Sequence, residues 1–256
     1  MGIWEGQRGE SEKPVMNLTR SSWAGQHRYA AVTWSGDTCA SWETLRRQVP
    51  EGLNFYATGE PFWNCDIGGF FTDRREPWFW RGDFPQGVKD PGYRELFVRW
   101  AQFGCFLTLM RFHGTDTPRE IWQFGEKGDP FYDALEKAIR LRYELKPLLK
   151  QLLEETSLTG IPPQRHPALQ FPEDVNLRSL DTEMMLGDRL LFCPVTRPMY
   201  YLPGGVKIEE PDENLRVYLP AGHRWRRYHG EEEWEGGQWI TLRVPLDELA
   251  LFERCE

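Results

Sequence analysis

The amino-acid sequence predicts two unequal units: an α/β unit over residues 1–160 and a small antiparallel β-sandwich over residues 161–256. In the first unit, short apolar segments alternate with helical patterns, which indicates parallel βα units. After Gly160-Ile161-Pro162-Pro163 the pattern changes to short β-rich segments separated by Pro, Gly and acidic turns. A chain of 256 residues is long enough for one medium and one small domain.

In the first unit, each predicted strand is a short apolar run and each predicted helix has apolar residues at helical spacing. The predicted strands are residues 15–20, 32–34, 61–66 and 106–111. The predicted helices are residues 42–55, 93–104 and 131–155. Ser41 is a favourable N-cap for the first helix, whereas Pro50 and Pro147 predict bends in the first and last helices.

The second unit contains β-rich runs at residues 190–192, 216–219 and 239–244. Between the first and second predicted helices of the chain, residues 73–91 have the composition of a long functional loop. The loop carries Trp78, Phe79 and Trp80 among charged residues and glycines. These rings fit the core and the rim of a binding site equally well.

Composition excludes several classes of partner. A net charge of −8 leaves no basic stripe for phosphate groups, so we expect neither nucleic acid nor a membrane surface as a partner. The N-terminus has no apolar secretory segment, and the odd, widely spaced set of five cysteines has no C-x-x-C pair. We therefore expect a cytoplasmic protein with free thiols and no bound metal. Because 12 Trp and 15 Phe exceed what core packing requires, some rings should face a ligand.

Polar residues follow the predicted strands at their carboxyl ends: Arg20, Asp37, Asp66, Arg111 and His113. In open sheets and barrels of parallel strands, active sites form at this edge. Each residue also has a plain structural interpretation. An Asp after Gly is often only a turn or helix-cap residue, and the arginines fit simple ion pairs with the aspartates.

Four ordered motifs carry a resemblance to a known family. They are Thr-Arg-Ser-Ser-Trp-Ala-Gly-Gln-His-Arg-Tyr (19–29), Trp-Ser-Gly-Asp (34–37), Trp-Asn-Cys-Asp-Ile-Gly-Gly-Phe (63–70) and Met-Arg-Phe-His-Gly (110–114). Together they resemble glycoside hydrolase family 31 over almost the whole chain. The resemblance implies the last four or so βα units of a (β/α)8 TIM barrel, followed by the first C-terminal β domain.

The resemblance also implies roles for individual residues. Asp37 is the implied general acid/base of a retaining α-glycosidase that needs no metal or organic cofactor, and apolar surroundings would keep its carboxyl protonated for that task. The residues implied to bind the sugar of an α-glycoside or oligosaccharide substrate are Arg20, Trp34, Trp63, Asp66, Phe70, Arg111 and His113. Trp63 and Phe70 also fit an ordinary role in the core.

The sequence departs from the family pattern at the nucleophile. The family's Trp-x-Asp-x-x-Glu type of motif, which carries that carboxylate, does not occur here. We therefore expect a fragment that is inactive alone, acts on terminal xylosyl or glucosyl units only in a complete barrel, and exposes unpaired strand edges to the missing N-terminal half. Two alternatives remain open: a non-catalytic carbohydrate-binding remnant, and one subunit of a split glycosidase.

Overall fold

The computed structural model describes residues 2–73 and 81–255, which form five α-helices and thirteen β-strands. The helices are α1 (Gly2–Glu10), α2 (Trp42–Ala57), α3 (Pro91–Gly104), α4 (Pro130–Thr159) and α5 (Pro167–Gln170). The strands of the first unit are β1 (Asn17–Thr19), β2 (Ala31–Trp34) and β3 (Trp63–Asn64). Those of the second are β4 (Gln164–Arg165), β5 (Met184–Leu186), β6 (Leu190–Cys193), β7 (Tyr201–Leu202), β8 (Val206–Lys207), β9 (Asn214–Leu219), β10 (Arg224–Arg227), β11 (Glu233–Glu235), β12 (Gln238–Arg243) and β13 (Ala250–Arg254).

The first unit contains a parallel sheet in the order β1-β2-β3. The prediction of a fourth strand over residues 106–111 is wrong for this structure. The Phe106 and Leu107 amides donate to the carbonyls of Phe103 and Gly104, so the chain continues as turns from the end of α3. Just after this segment, Phe112 forms an isolated parallel bridge with Ile67. The parallel sheet of the described residues therefore has three strands, where the sequence predicts four.

The predicted helices form with slightly longer bounds. Ser41 caps α2 as expected, because its Oγ accepts a hydrogen bond of 3.0 Å from the Thr44 amide. Pro50 lies inside α2, and Pro147 lies inside α4, which is continuous over 30 residues. Two of the described helices were not predicted. α1 has no buried residue, and its sequence is mostly charged, polar or glycine. α5 has only four residues, too few for a helical pattern in the sequence.

The second unit is antiparallel throughout its named strands. Six strands form a sheet in the order β11-β10-β13-β6-β5-β4, and β9 pairs with β12 in a separate two-stranded ribbon. Val217 and Leu219 of the ribbon share a buried cluster with Leu191 and Phe252 of the sheet. The ribbon therefore covers one face of the sheet with apolar side chains.

A buried polar contact connects the two units. On α3, Arg99 is completely buried and donates to the carbonyls of Val244 (3.0 Å), Pro245 (3.2 Å) and Glu248 (3.0 Å). One turn earlier, the buried Glu95 accepts hydrogen bonds from the amides of residues 199, 200 and 201. Buried charges require such partners, so the helix and the β unit stabilise each other.

Among the described residues, no helix is both long enough and apolar enough to cross a membrane. The aromatic run Trp78-Phe79-Trp80 lies outside the described residues, so its assignment to core or rim stays a prediction.

Candidate functional site

The ends of the parallel strands bring the predicted polar residues together. Arg20 directly follows β1, Asp37 lies in the turn after β2, and Asp66 comes two residues after β3. Arg111 precedes Phe112, whose bridge to Ile67 places it beside the end of β3. This follows from the parallel pairing, because neighbouring parallel strands end at the same edge of the sheet.

Two ion pairs flank one indole ring at this edge. Arg20 Nη2 lies 2.7 Å from Asp37 Oδ2, and Arg111 forms an ion pair with Asp66. The guanidinium carbons of both arginines lie 5.6 Å from the centroid of the Trp34 ring. The half-buried Trp34 therefore lies between the carboxylate implied to transfer protons and the carboxylate implied to bind sugar.

The two ion pairs differ in their exposure to solvent. The Arg20 side chain is 66% exposed, so its pair with Asp37 is screened and easily exchanged for another hydrogen-bonding group. The Asp66 side chain is completely buried. Burial raises the pKa of Asp66 to about 6; the Arg111 charge opposes this shift and the Asp37 charge adds to it.

His113 and Phe70 form the adjoining wall. Their ring centroids are 5.5 Å apart. Partial burial lowers the pKa of His113, the charges of Arg111 and Arg119 lower it further, and Asp37 opposes them. The imidazole is therefore neutral at pH 7, with one ring nitrogen that donates and one that accepts.

Trp63 does not join this group. Its side chain is completely buried, with ring centroids 6.4 Å from Phe55 and 6.3 Å from Tyr56. Asp66 lies two residues beyond the end of β3 and pairs instead with Arg111. The structure therefore corrects the sugar-contact assignment of Trp63: the ring packs against α2, where Gly52 provides the space.

Sequence reasoning missed Arg119, which holds two loops of the site in place. Its buried guanidinium donates to the carbonyls of Gly69 (2.6 Å) and Phe70 (3.2 Å), and also to those of Thr115 (3.0 Å) and Thr117 (2.8 Å). This links the Gly-Gly-Phe loop to the segment after His113. The only sequence signal was an arginine in a turn-rich stretch, which is too common to identify such a role.

Several buried polar atoms at the site have no hydrogen-bond partner among the described residues. They are Trp34 Nε1, Ser35 Oγ, Thr38 Oγ1, Asp66 Oδ2 and Arg111 Nε. Buried polar groups in proteins almost always form hydrogen bonds, so this set indicates a polar ligand or bound water. The mixture of donors and acceptors matches the hydroxyl groups of a sugar.

A cavity of about 360 Å³ adjoins Asp37 and extends along α2 to Gln48 and Glu51. Burial raises the pKa of Glu51 to about 7, and a hydrogen bond of 2.9 Å from Gln48 Nε2 opposes the shift. Among residues 2–73 and 81–255, no three His, Cys, Asp or Glu side chains cluster as metal ligands. The site consists of carboxylates, guanidinium groups and aromatic rings.

Known proteins match this chain over almost its whole length. The α-xylosidase of Saccharolobus solfataricus is 38% identical over 252 residues, 98% of this chain and 31% of its own length. The human neutral α-glucosidase C is 32% identical over 256 residues, 99% of this chain and 24% of its own length. The chain thus spans about a quarter to a third of the relatives it matches.

A crystal structure of a GH31 α-xylosidase from Xanthomonas citri superposes with a TM-score of 0.86 at 34% identity, covering 99% of this chain and 26% of that one. The family model "Glycosyl hydrolases family 31 TIM-barrel domain" matches residues 1–152. The model "Glycosyl hydrolase family 31 C-terminal domain" matches residues 160–256. The chain belongs to glycosyl hydrolase family 31.

Proposed function

We propose that this chain supplies the acid/base half of a retaining α-glycosidase that acts on terminal α-linked xylosyl or glucosyl units. The observation that carries the proposal is the pair of aspartates, Asp37 and Asp66, each paired with an arginine on either side of Trp34. A buried carboxylate and an accessible one in the same site suit two different tasks, sugar binding and proton transfer.

Asp37 is the proposed general acid/base. The exposed Arg20 is readily displaced from it by a substrate. In the first step the carboxyl gives its proton to the leaving-group oxygen, and in the second it takes a proton from the attacking water. We infer that Arg20 holds this carboxylate between the two steps.

The remaining residues form the proposed sugar-binding surface. Asp66 Oδ2 and Arg111 Nε, which have no hydrogen-bond partner within residues 2–73 and 81–255, are available to sugar hydroxyls. His113 adds a neutral donor or acceptor, and Trp34 with Phe70 forms the aromatic wall on which a pyranose ring stacks. No step requires a metal or an organic cofactor.

A retaining mechanism needs a second carboxylate about 5–5.5 Å from the first, to form the covalent glycosyl-enzyme intermediate. Asp66 is held by Arg111 and assigned to sugar binding, and no other motif in the sequence matches the family nucleophile. We propose that the nucleophile comes from a further part of the barrel, which pairs with the free edge of β1 and completes the partial barrel of residues 1–160. The β-sandwich begins near residue 161 in this proposal.

Both α-xylosidases and α-glucosidases are among the similar proteins, and we propose the xylosyl group because the 38% identical relative is an α-xylosidase. α-Xylosidases from an archaeon, a bacterium and a fungus are among the similar proteins, and the fungal α-xylosidase A of Aspergillus niger is 33% identical over 260 residues. An α-xylosidase fold-mate from a soil metagenome carries bound xylose in its structure. We therefore take the terminal α-xylosyl group as the first substrate to assay.

The test is co-expression of this chain with the upstream barrel half of the Saccharolobus α-xylosidase, followed by assay with aryl α-xylosides. We expect no turnover by the chain alone and measurable turnover by the pair. In the pair, Asp37→Ala should slow substrates with poor leaving groups far more than dinitrophenyl xylosides, because only poor leaving groups need protonation. Azide should restore the slow second step, since it attacks without a general base.

Two outcomes would overturn this assignment. Equal losses for good and poor leaving groups would remove Asp37 from proton transfer. Binding of xylose that depends on Asp66 but yields no turnover in any co-expressed pair would instead favour the carbohydrate-binding remnant.

A cytoplasmic location stays a prediction from the sequence.

A further inference from the structure

A second cavity of about 360 Å³ lies away from the candidate functional site, where α4 meets the β unit. From α4 it is lined by Lys137, Ala138, Arg140, Leu141 and Glu144, and from the β unit by the loop after β10 and by residues 247–249. Junctions between structural units are common places for small-molecule sites. The volume is at the lower end of the ~300–1,000 Å³ typical of ligand pockets.

The charges that line this cavity cancel. Three cations, Lys137, Arg140 and Arg227, face three carboxylates, Glu144, Asp247 and Glu248. Lys137 of α4 forms an ion pair with Asp247 of the β unit at 2.8 Å, which crosses the junction. Arg227 and Glu248, both in the β unit, form a second ion pair at 2.7 Å. A lining without excess charge favours a neutral ligand, because an ion would lack a net counter-charge.

An aromatic surface is held in place on one side of the cavity. The rings of Tyr228 and His229 stack with centroids 4.2 Å apart and an interplanar angle of 25°. Both rings are fixed by Glu144 Oε1, which lies 2.6 Å from the Tyr228 hydroxyl and 2.7 Å from His229 Nε2. The His229 backbone adopts φ 59, an uncommon conformation for a residue other than glycine, which turns the chain sharply at this point.

Leu141, Leu249 and Leu251 add an apolar floor to this lining. A rigid aromatic surface, an apolar floor and a rim of paired charged groups are together suited to a pyranose. Its C–H face packs on rings and aliphatic groups, while its hydroxyls bond to carboxylates and guanidinium groups. An inorganic anion would use only the cations and leave the apolar floor unoccupied.

We propose that this junction cavity is a second, non-catalytic binding site for a neutral oligosaccharide of two sugar units. It shares no residue with the site at Asp37 and Asp66. Its function in this proposal is to retain a longer substrate on the protein while the chain end reacts elsewhere. The binding itself does not depend on the chemistry proposed for Asp37.

The test is titration of the purified 256-residue chain with isoprimeverose and with maltose, followed by saturation-transfer NMR and calorimetry. The informative variant is His229→Asn, because Asn tolerates positive φ and removes the ring together with its contact to Glu144. We expect it to weaken disaccharide binding at this site about fivefold, the loss expected for one aromatic contact of ~1 kcal/mol. Asp66→Asn should leave this binding unchanged.

Trp239→Ala is the matched control, since that partly exposed ring lies on the β9–β12 ribbon and outside the cavity. Absence of disaccharide binding at millimolar concentration would overturn the proposal. So would binding that Asp66→Asn abolishes and His229→Asn does not affect, because the sugar would then occupy only the candidate functional site. Tight binding of inorganic phosphate with none of maltose would also reject it.

Discussion

At the scale of single residues, Asp66 shows how burial and charge oppose each other. Burial favours the protonated acid, whereas the adjacent Arg111 favours the carboxylate, and burial is the larger effect because the pKa rises to about 6. The Asp66 carboxyl therefore changes from mainly protonated to mainly ionised as the pH rises through about 6. A sugar-binding role requires mainly the ionised form, whose two oxygens both accept hydrogen bonds.

We expect xylose binding to the purified chain to strengthen as the pH rises from about 5 to about 7, through the pKa of Asp66 near 6. Below this pKa the carboxyl is protonated and loses acceptor capacity. Asp66→Asn should bind xylose more weakly and without this pH dependence. Binding curves measured by calorimetry at both pH values check the prediction, and a pH-independent wild-type affinity would contradict it.

Glu183 in the β unit is a second buried acid, outside the candidate functional site. Its Oε1 accepts a hydrogen bond of 2.8 Å from the Tyr218 amide, and burial raises its pKa to about 8. The unfolded chain has the ordinary value of 4.5. Below that value the group is protonated in both states, so ionisation costs the folded state nothing.

As the pH rises from 4.5 to about 8, the unfolded chain gains charge at Glu183 before the folded chain does, so stability falls across this window. Glu183→Gln keeps an acceptor for Tyr218 and cannot ionise. We expect its urea midpoint to exceed that of the wild type near pH 8, with the difference shrinking towards pH 4.5. A wild-type advantage at pH 8 would show that the ionised carboxylate is favourable there.

At the scale of elements, the loop after β3 is set by glycine conformation. Gly69 has φ +73, and a Cβ built on it would lie 2.5 Å from the Ala40 backbone nitrogen. The Gly69 carbonyl accepts a hydrogen bond from the Arg119 guanidinium. A shift of Gly69 would therefore also displace Phe70 and the His113 ring beside it. Glycine is required here by both backbone conformation and space.

We expect Gly69→Ala to lower the free energy of unfolding well beyond the ~1 kcal/mol typical of alanine at positive φ, and to weaken xylose binding. Gly59→Ala is the matched control: its φ is +85, but no atom lies within 4 Å of the added Cβ. That variant should lose only about 1 kcal/mol and keep its affinity. Chemical denaturation measures the free energy of unfolding of both variants, and calorimetry measures their affinity for xylose. Equal losses in the two variants would mean that contact with Ala40 is unimportant.

At the scale of the whole molecule, the two units are joined by buried polar groups on α3. Arg99 donates to carbonyls of residues 244, 245 and 248, while Glu95 accepts from amides of residues 199–201. Removing the β unit would expose both charges and remove the backbone groups with which they form hydrogen bonds. We therefore regard the β unit as part of the support for the sheet edge that carries Asp66 and Arg111.

We expect Arg99→Met to lower the free energy of unfolding by about 3–5 kcal/mol, because several buried carbonyls lose their donor and Glu95 loses a nearby positive charge. Arg140→Met provides the control on α4, where the side chain is 74% exposed and pairs with Glu136. Its effect should stay below about 0.5 kcal/mol. Urea unfolding of both proteins measures the difference, and a small loss for Arg99→Met would show that water replaces the guanidinium.

The sequence by itself determined the family, the helices α2, α3 and α4, the parallel strands and the polar residues that follow them. Periodicity and N-capping are local properties, and the four motifs are read directly from neighbouring residues. The same local information could not identify α1, whose sequence is mostly charged, polar or glycine, or show that residues 106–111 continue as turns after α3.

Only the tertiary structure decided which of the aromatic and charged residues meet. Trp63 and Asp66 lie in one motif, yet Trp63 packs on α2 whereas Asp66 pairs with Arg111. Arg119 comes from a distant turn to hold the Gly69 carbonyl. The pairing of Arg20 with Asp37 and of Arg111 with Asp66 also depends on strand register. Motifs specify residue types at a spacing along the chain, but contacts depend on packing between segments that are far apart in sequence.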